Sequence, residues 1–149
     1  SLQSARMARL EVREEGPRYG PPSLSLPRLG QGAFRVLVTD AYDRRCTITN
    51  ERTLPALDAV HIKPYSDSGG HRVDNGLLMR RDLHALFDRG YVTVTPDLAF
   101  IVSRRIREEF ENGRDYYRLH GSQIRPPSNP LYKPSAEYLE WHNEKIYRG

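Results

Sequence analysis

One cysteine, Cys46, stands in 149 residues. It excludes an intrachain disulfide, and with it any structural zinc site built from four cysteines or from two cysteines and two histidines. Lysine is almost as scarce: of 23 basic residues only three are Lys, at positions 63, 133 and 145. No apolar run approaches the roughly 18 residues that a membrane span needs. The first residues, S-L-Q-S-A-R-M-A-R-L-E-V, have no apolar segment of the signal-peptide kind, so a cytoplasmic location is expected and no membrane partner. No internal repeat is visible.

What the chain does have is arginine, a net charge of +4 and a pI near 9.4. Guanidinium groups fork onto phosphate oxygens, so this balance permits a nucleic-acid partner. A GC-rich genome would supply the same arginines, so charge alone does not establish one. The length suits one domain able to bury a core.

Proline and glycine punctuate the start. Pro17, Pro21, Pro22 and Pro27 with Gly16 and Gly20 predict an arm or linker over 1–27, with a short helix over 4–15. The domain proper is expected over 28–149. In it, Phe34, Leu37, Val38 and Ala41 recur at helical spacing and predict a helix over 32–45. Residues 46–49 and 57–62 read as strands, 63–75 as a loop rich in Gly, Ser and Pro, and 81–87 as a helix stopped by Gly90. A hairpin is expected over 91–102, a short helix around Ile106 and Phe110, and a helix over 136–146 docked through Tyr138, Leu139 and Trp141.

Two stretches carry chemistry: D-A-V-H-I-K-P-Y at 58–65 and N-G-L-L-M-R-R-D-L-H-A-L-F-D at 75–88. A lone His on an apolar strand is more often structural than catalytic, and D-L-H-x-L-F alone suits any amphipathic helix. The ordered set is far more specific. It resembles the ββα-metal finger of HNH endonucleases, above all the bacterial restriction-type branch with H-I-x-P-Y, N-G-L-L and D-L-H-x-L-F-D. R-L-G-Q-G-A-F-R at 28–35 and Y-Y-R-L-H-G at 116–121 resemble flanking segments of the same branch.

The resemblance implies an α+β fold: a ββα-metal core (motif 46–90) with flanking helices and a β-hairpin. It implies a metal-dependent endonuclease that hydrolyses DNA phosphodiester bonds, as the cleavage module of a bacterial restriction or defence enzyme. His61 would be the general base, suited by an ordinary pKa near 6.5. Asn75 would organise the loop and the base imidazole. His84 would bind one divalent metal ion, Mg²⁺ or Mn²⁺ first, with Zn²⁺ or Ni²⁺ also admissible. Asp88 lies one helical turn after His84 and so faces the same way. Most HNH sites put a ligand immediately before the base; here Val60 stands there, and Asp58, two residues earlier, is the substitute at hand.

Lys63, Arg72, Arg80 and Arg81 are the expected phosphate contacts, within a wider set that includes Arg44, Arg45, Arg104 and Arg105. His71 is expected to be solvated or to touch phosphate, Tyr65 to pack over the motif, and His120 and His142 to be structural. Cys46 should be a small buried residue at a helix–strand joint. No base-reading element is visible. The Ser1 start and internal Met7 leave room for an upstream reader domain, and a homodimer stays open. Val60 keeps a second hypothesis alive, a catalytically inactive DNA-binding or scaffold module. A weaker third is a secreted nuclease toxin.

Overall fold

The apolar stripe of the first helix sets the frame. In the computed structural model, which describes residues 26–67 and 69–149, α1 (Gln31–Ala41) buries Phe34, Leu37, Val38 and Ala41, the spacing seen in the sequence. The expected arm and its helix over 4–15 lie outside the described residues. Leu26 and Pro27, assigned to that arm, are described and buried, so the packed chain begins earlier than expected. α1 also ends earlier. Asp43 and Arg44 adopt left-handed φ values of 57° and 59°, which turns the chain back.

Residues 46–49 are a turn rather than the expected strand. Cys46 N–H donates to Glu51 O and Asn50 N–H to Cys46 O, both at 2.9 Å, with Asn50 at φ 67°. Local hydrogen bonding thus overrides the β-preference of Thr47, Ile48 and Thr49. The Cys46 thiol is buried as expected, within that turn. One guanidinium staples this region: Arg125 donates to Tyr42 O (2.6 Å), Arg45 O, Asp43 and Asn50.

The two strands of the finger are β1 (Leu57–His61) and β2 (Gly76–Arg80), antiparallel, with Asp58 opposite Met79 and His61 opposite Gly76. β2 lay hidden in the sequence. It is buried at every position from Gly76 to Met79, because both α1 and the following helix pack on the hairpin, so no alternation marks it. Gly76 permits the approach of α1: a Cβ there would lie 2.5 Å from Val38 and 3.1 Å from the Phe34 ring. α2 (Arg81–Asp88) completes the ββα unit and buries Leu83 and Phe87.

A second hairpin, β3 (Val92–Val94) with β4 (Phe100–Val102), follows as expected. α3 (Arg105–Phe110) and α4 (Arg114–Tyr117) lead to α5 (Ala136–Lys145). α5 docks through Leu139, as expected, and through His142; Tyr138 and Trp141 of the expected trio are only half-buried. His142 is a clamp. Its Nε2 bonds to Phe87 O at 2.9 Å, its Nδ1 to the Thr93 hydroxyl at 2.7 Å, and its ring stacks on Phe87. It thereby gives a second donor to a carbonyl at the C-terminal end of α2, which also accepts from Gly90 N–H. One apolar cluster joins these elements, from Leu26 through Phe34, Val60 and Phe87 to Leu139. The architecture is α+β around a ββα core.

Candidate active site

His61 closes β1, and its ring is held by two neighbours. It stacks on Phe34 of α1 with centroids 4.0 Å apart and planes 9° apart. Its Nε2 lies 2.9 Å from Nδ1 of His71, whose ring in turn stacks on Tyr65. Burial pushes the His61 imidazole below its ordinary pKa. His71 adds to that, Asp88 opposes it and His84 adds again. The group is therefore neutral at ordinary pH, the state a base requires.

Asn75, wholly buried, zips the loop between the strands. Its Nδ2 donates to Lys63 O and Gly70 O and its Oδ1 accepts from Lys63 N–H, all at 2.9 Å. It makes no hydrogen bond to the His61 ring. The expected role is thus half corrected: Asn75 organises the loop directly and can reach the base only through what that loop carries. A glycine is required at 69, where a Cβ would collide with the Lys63 carbonyl.

On α2, His84 sits between two carboxylates: Nδ1 is 2.9 Å from Asp58 Oδ2, and Nε2 is 2.9 Å from Asp88 Oδ2. The Asp88 hydrogen bond, aided by that of Asp58 and opposed by burial, raises the His84 pKa to about 9. Asp58 also pairs with Arg81 at 3.2 Å. Val60 has nothing to offer a ligand, being 1% exposed in the core.

These groups meet in a trench. A cavity of about 410 Å³ is lined by His61, His84 and Asp88, and an adjoining one of about 500 Å³ by Asp58, Arg81 and His84. Arg35, Ala59 and His84 line both. One wall is an edge of α1, where Gln31, Arg35 and Thr39 recur every fourth residue. The other is an edge of α2, with Arg81, His84 and Asp88.

Residues 46–95 match the family model described as HNH endonuclease. That span holds the strand histidine, the buried Asn and the helix histidine just placed in one unit. These residues are an HNH endonuclease domain. No curated protein matches the chain. Among solved structures the chain is similar to a modification-dependent TagI restriction endonuclease, with TM-score 0.57 and 18% identity over 76% of this chain. At that identity the likeness carries the fold. The chain spans 37% of that structure's length.

The HNH finger thus brings His61, His84 and Asp88 to one cavity and Asp58 to its neighbour. The four expected phosphate contacts are less united. Arg81 lines the trench. Arg80 forks onto Asp82 (3.0 and 2.6 Å) and Arg72 onto Asp74 (3.0 and 3.2 Å). Lys63 lies over the Trp141 ring at 5.4 Å. The sequence-based choice missed two residues. Arg35 lines both cavities and its guanidinium has no partner among the described residues. Its four-residue spacing from Gln31 and Thr39, along one flank of the apolar stripe, was the available signal. His71 was read as solvated or touching phosphate, and its Nδ1 lies against His61; nothing local in the sequence marks that contact.

Among the described residues no group of three or more His, Cys, Asp or Glu side chains forms a metal cage. The HNH finger offers a smaller set, an imidazole with a carboxylate on each nitrogen. Only one nitrogen can take a cation. The other then gives its N–H to the remaining carboxylate, the usual way a ligating His is oriented. Oxygen plus imidazole suits a hard or borderline divalent ion that keeps open positions. The donor set fits such an ion, which on binding must displace the proton His84 holds.

Proposed function

We propose that the chain is a metal-dependent endonuclease module acting on DNA phosphodiester bonds, of the kind used in bacterial restriction. The observation that carries this proposal is the shared cavity: a neutral, oriented His61 faces the same space as His84 and Asp88. His84 Nε2 and Asp88 would hold the cation on that side, with Asp58 accepting Nδ1–H. Held there, a divalent ion would supply positive charge against the scissile phosphate and the departing 3′ oxygen. His61 takes a proton from the attacking water. Phe34 fixes the plane of that ring, and Arg35 and Arg81 flank the path of the phosphate chain. The similarity to a restriction endonuclease that spans far more chain supports a module joined to a separate reader, and hence little sequence preference here.

Plasmid nicking with Mn²⁺ or Mg²⁺, with and without chelator, tests this. Wild type should cut only with metal, and His61→Ala should cut about 10²–10⁴-fold more slowly with DNA affinity unchanged. A wild-type chain that binds DNA but never cuts under any of these ions would leave the inactive-scaffold alternative. Equal cutting by His61→Ala would remove the histidine from the mechanism.

A further inference from the structure

The loop residue His71 is fixed from both sides. Its preceding carbonyl, Gly70 O, is taken by buried Asn75, and its own carbonyl accepts from Leu29 N–H at 2.8 Å. Tyr65, itself 68% exposed, stacks on the His71 ring with planes 14° apart, so one face of that ring is covered. This built side chain ends 2.9 Å from Nε2 of His61. Two tautomeric arrangements satisfy that contact. In one, His61 donates Nε2–H and keeps a lone pair on Nδ1. In the other, His71 donates, and the His61 proton sits on Nδ1, where the ring can accept nothing from water.

We infer that His71 is the positioning residue of the nuclease: its Nδ1 accepts Nε2–H of His61 and so presents His61 Nδ1 as the base. This rests on the assignment of His61 as base. When His61 Nδ1 takes the water proton, the ring becomes imidazolium with Nε2–H still donated to the His71 lone pair. No proton passes to His71; the bond orients the ring before the step and supports its charge after it. Asn75 then acts on the base at one remove, through Gly70 and His71, which explains why a buried Asn that never touches the imidazole belongs to the site.

Two measurements test it. Nitrogen-15 NMR of the wild-type imidazoles, without metal or DNA, should show His61 protonated at Nε2 and unprotonated at Nδ1. The reverse tautomer overturns the inference, and does so whether or not the chain cuts DNA. In cleavage assays His71→Ala should lower kcat about 10- to 100-fold with KM unchanged. His71→Asn, whose side-chain oxygen can replace the Nδ1 acceptor, should recover most of the loss. A His71→Ala effect confined to KM, or no rescue by Asn in a variant shown by its spectrum to be folded, would mean that His71 contacts phosphate instead. Failure of wild type to cut at all, with the expected tautomer present, would count against the nuclease and leave the dyad standing.

Discussion

Removing the Asn75 side chain should loosen the loop over 62–75 by an amount that can be worked from its bonds. Three side-chain hydrogen bonds, all 2.9 Å and all to backbone groups, are lost in Asn75→Ala. At about 0.5–1.5 kcal/mol each, with Lys63 partly open to water and Gly70 O left without its partner, the expected loss is about 3 kcal/mol. That is a large share of the roughly 5–15 kcal/mol typical of a domain. Urea unfolding is the assay, and with an m-value of about 1–3 kcal/mol/M the midpoint should fall by on the order of 1–3 M. Asn75→Asp is the sharper comparison. It keeps the acceptor for Lys63 N–H but turns the donor into an oxygen facing two carbonyls, so it should be at least as damaging as Ala. Equal stability of Asn75→Asp and wild type, or lost cleavage in Asn75→Ala with an unchanged midpoint, would refute the loop-zipping role.

Asp88→Asn should raise the Mn²⁺ concentration for half-maximal cleavage more than Asp58→Asn does, since the latter keeps an acceptor for His84 Nδ1–H; the opposite order would put the cation on the Asp58 side. Val60→Asp should unfold the core rather than add a ligand, visible as a lower thermal midpoint with no gain in metal affinity by calorimetry. Arg35→Gln should weaken binding to two unrelated duplexes equally and reduce the salt slope by about one; an unaltered slope would remove Arg35 from the phosphate path. Burial holds the His142 pKa down to about 4. Above about pH 6.5 the imidazole is neutral folded and unfolded, and the full stability is present. As pH falls from there towards 4, the unfolded chain takes up a proton that the fold refuses, so stability should drop by up to about 3 kcal/mol. His142→Gln should flatten that fall in urea titrations at pH 7.5 and 4.5, and an equally steep fall in the variant would locate the acid sensitivity elsewhere.

Much of this was legible in the chain, for reasons that differ residue by residue. Phe34, Leu37, Val38 and Ala41 announced α1 because one of its faces is wet and the stripe survives as a period. His61, Asn75 and His84 were legible as an ordered set, where each alone was not. β2 was not legible, since Gly-Leu-Leu-Met is apolar without alternation and a doubly covered strand looks like any buried run. Thr47, Ile48 and Thr49 misled in the other direction: their β-preference lost to a turn closed by Asn50 and pinned by Arg125, a residue 75 positions away. His71 could not be read, because its contact exists only once the loop is folded around Asn75. Arg35 could have been, from spacing alone.

The Arg125 staple and the His142 clamp also bear on when the finger becomes fully packed. Both reach back to the finger from chain made after it: Arg125 to the turn before β1, His142 to the end of α2. At ribosomal speeds of about 5–20 residues per second, the interval between the end of the matched segment and His142 is on the order of 2–10 s. During that interval His61 and His84 exist but the Phe87 face on which His142 stacks is uncovered. A finger whose supports are made after it cannot reach its final packing until they have emerged. Nascent chains arrested at successive lengths should therefore resist protease across the finger only after residue 142 has emerged, and early resistance would show that the finger stands without its clamp.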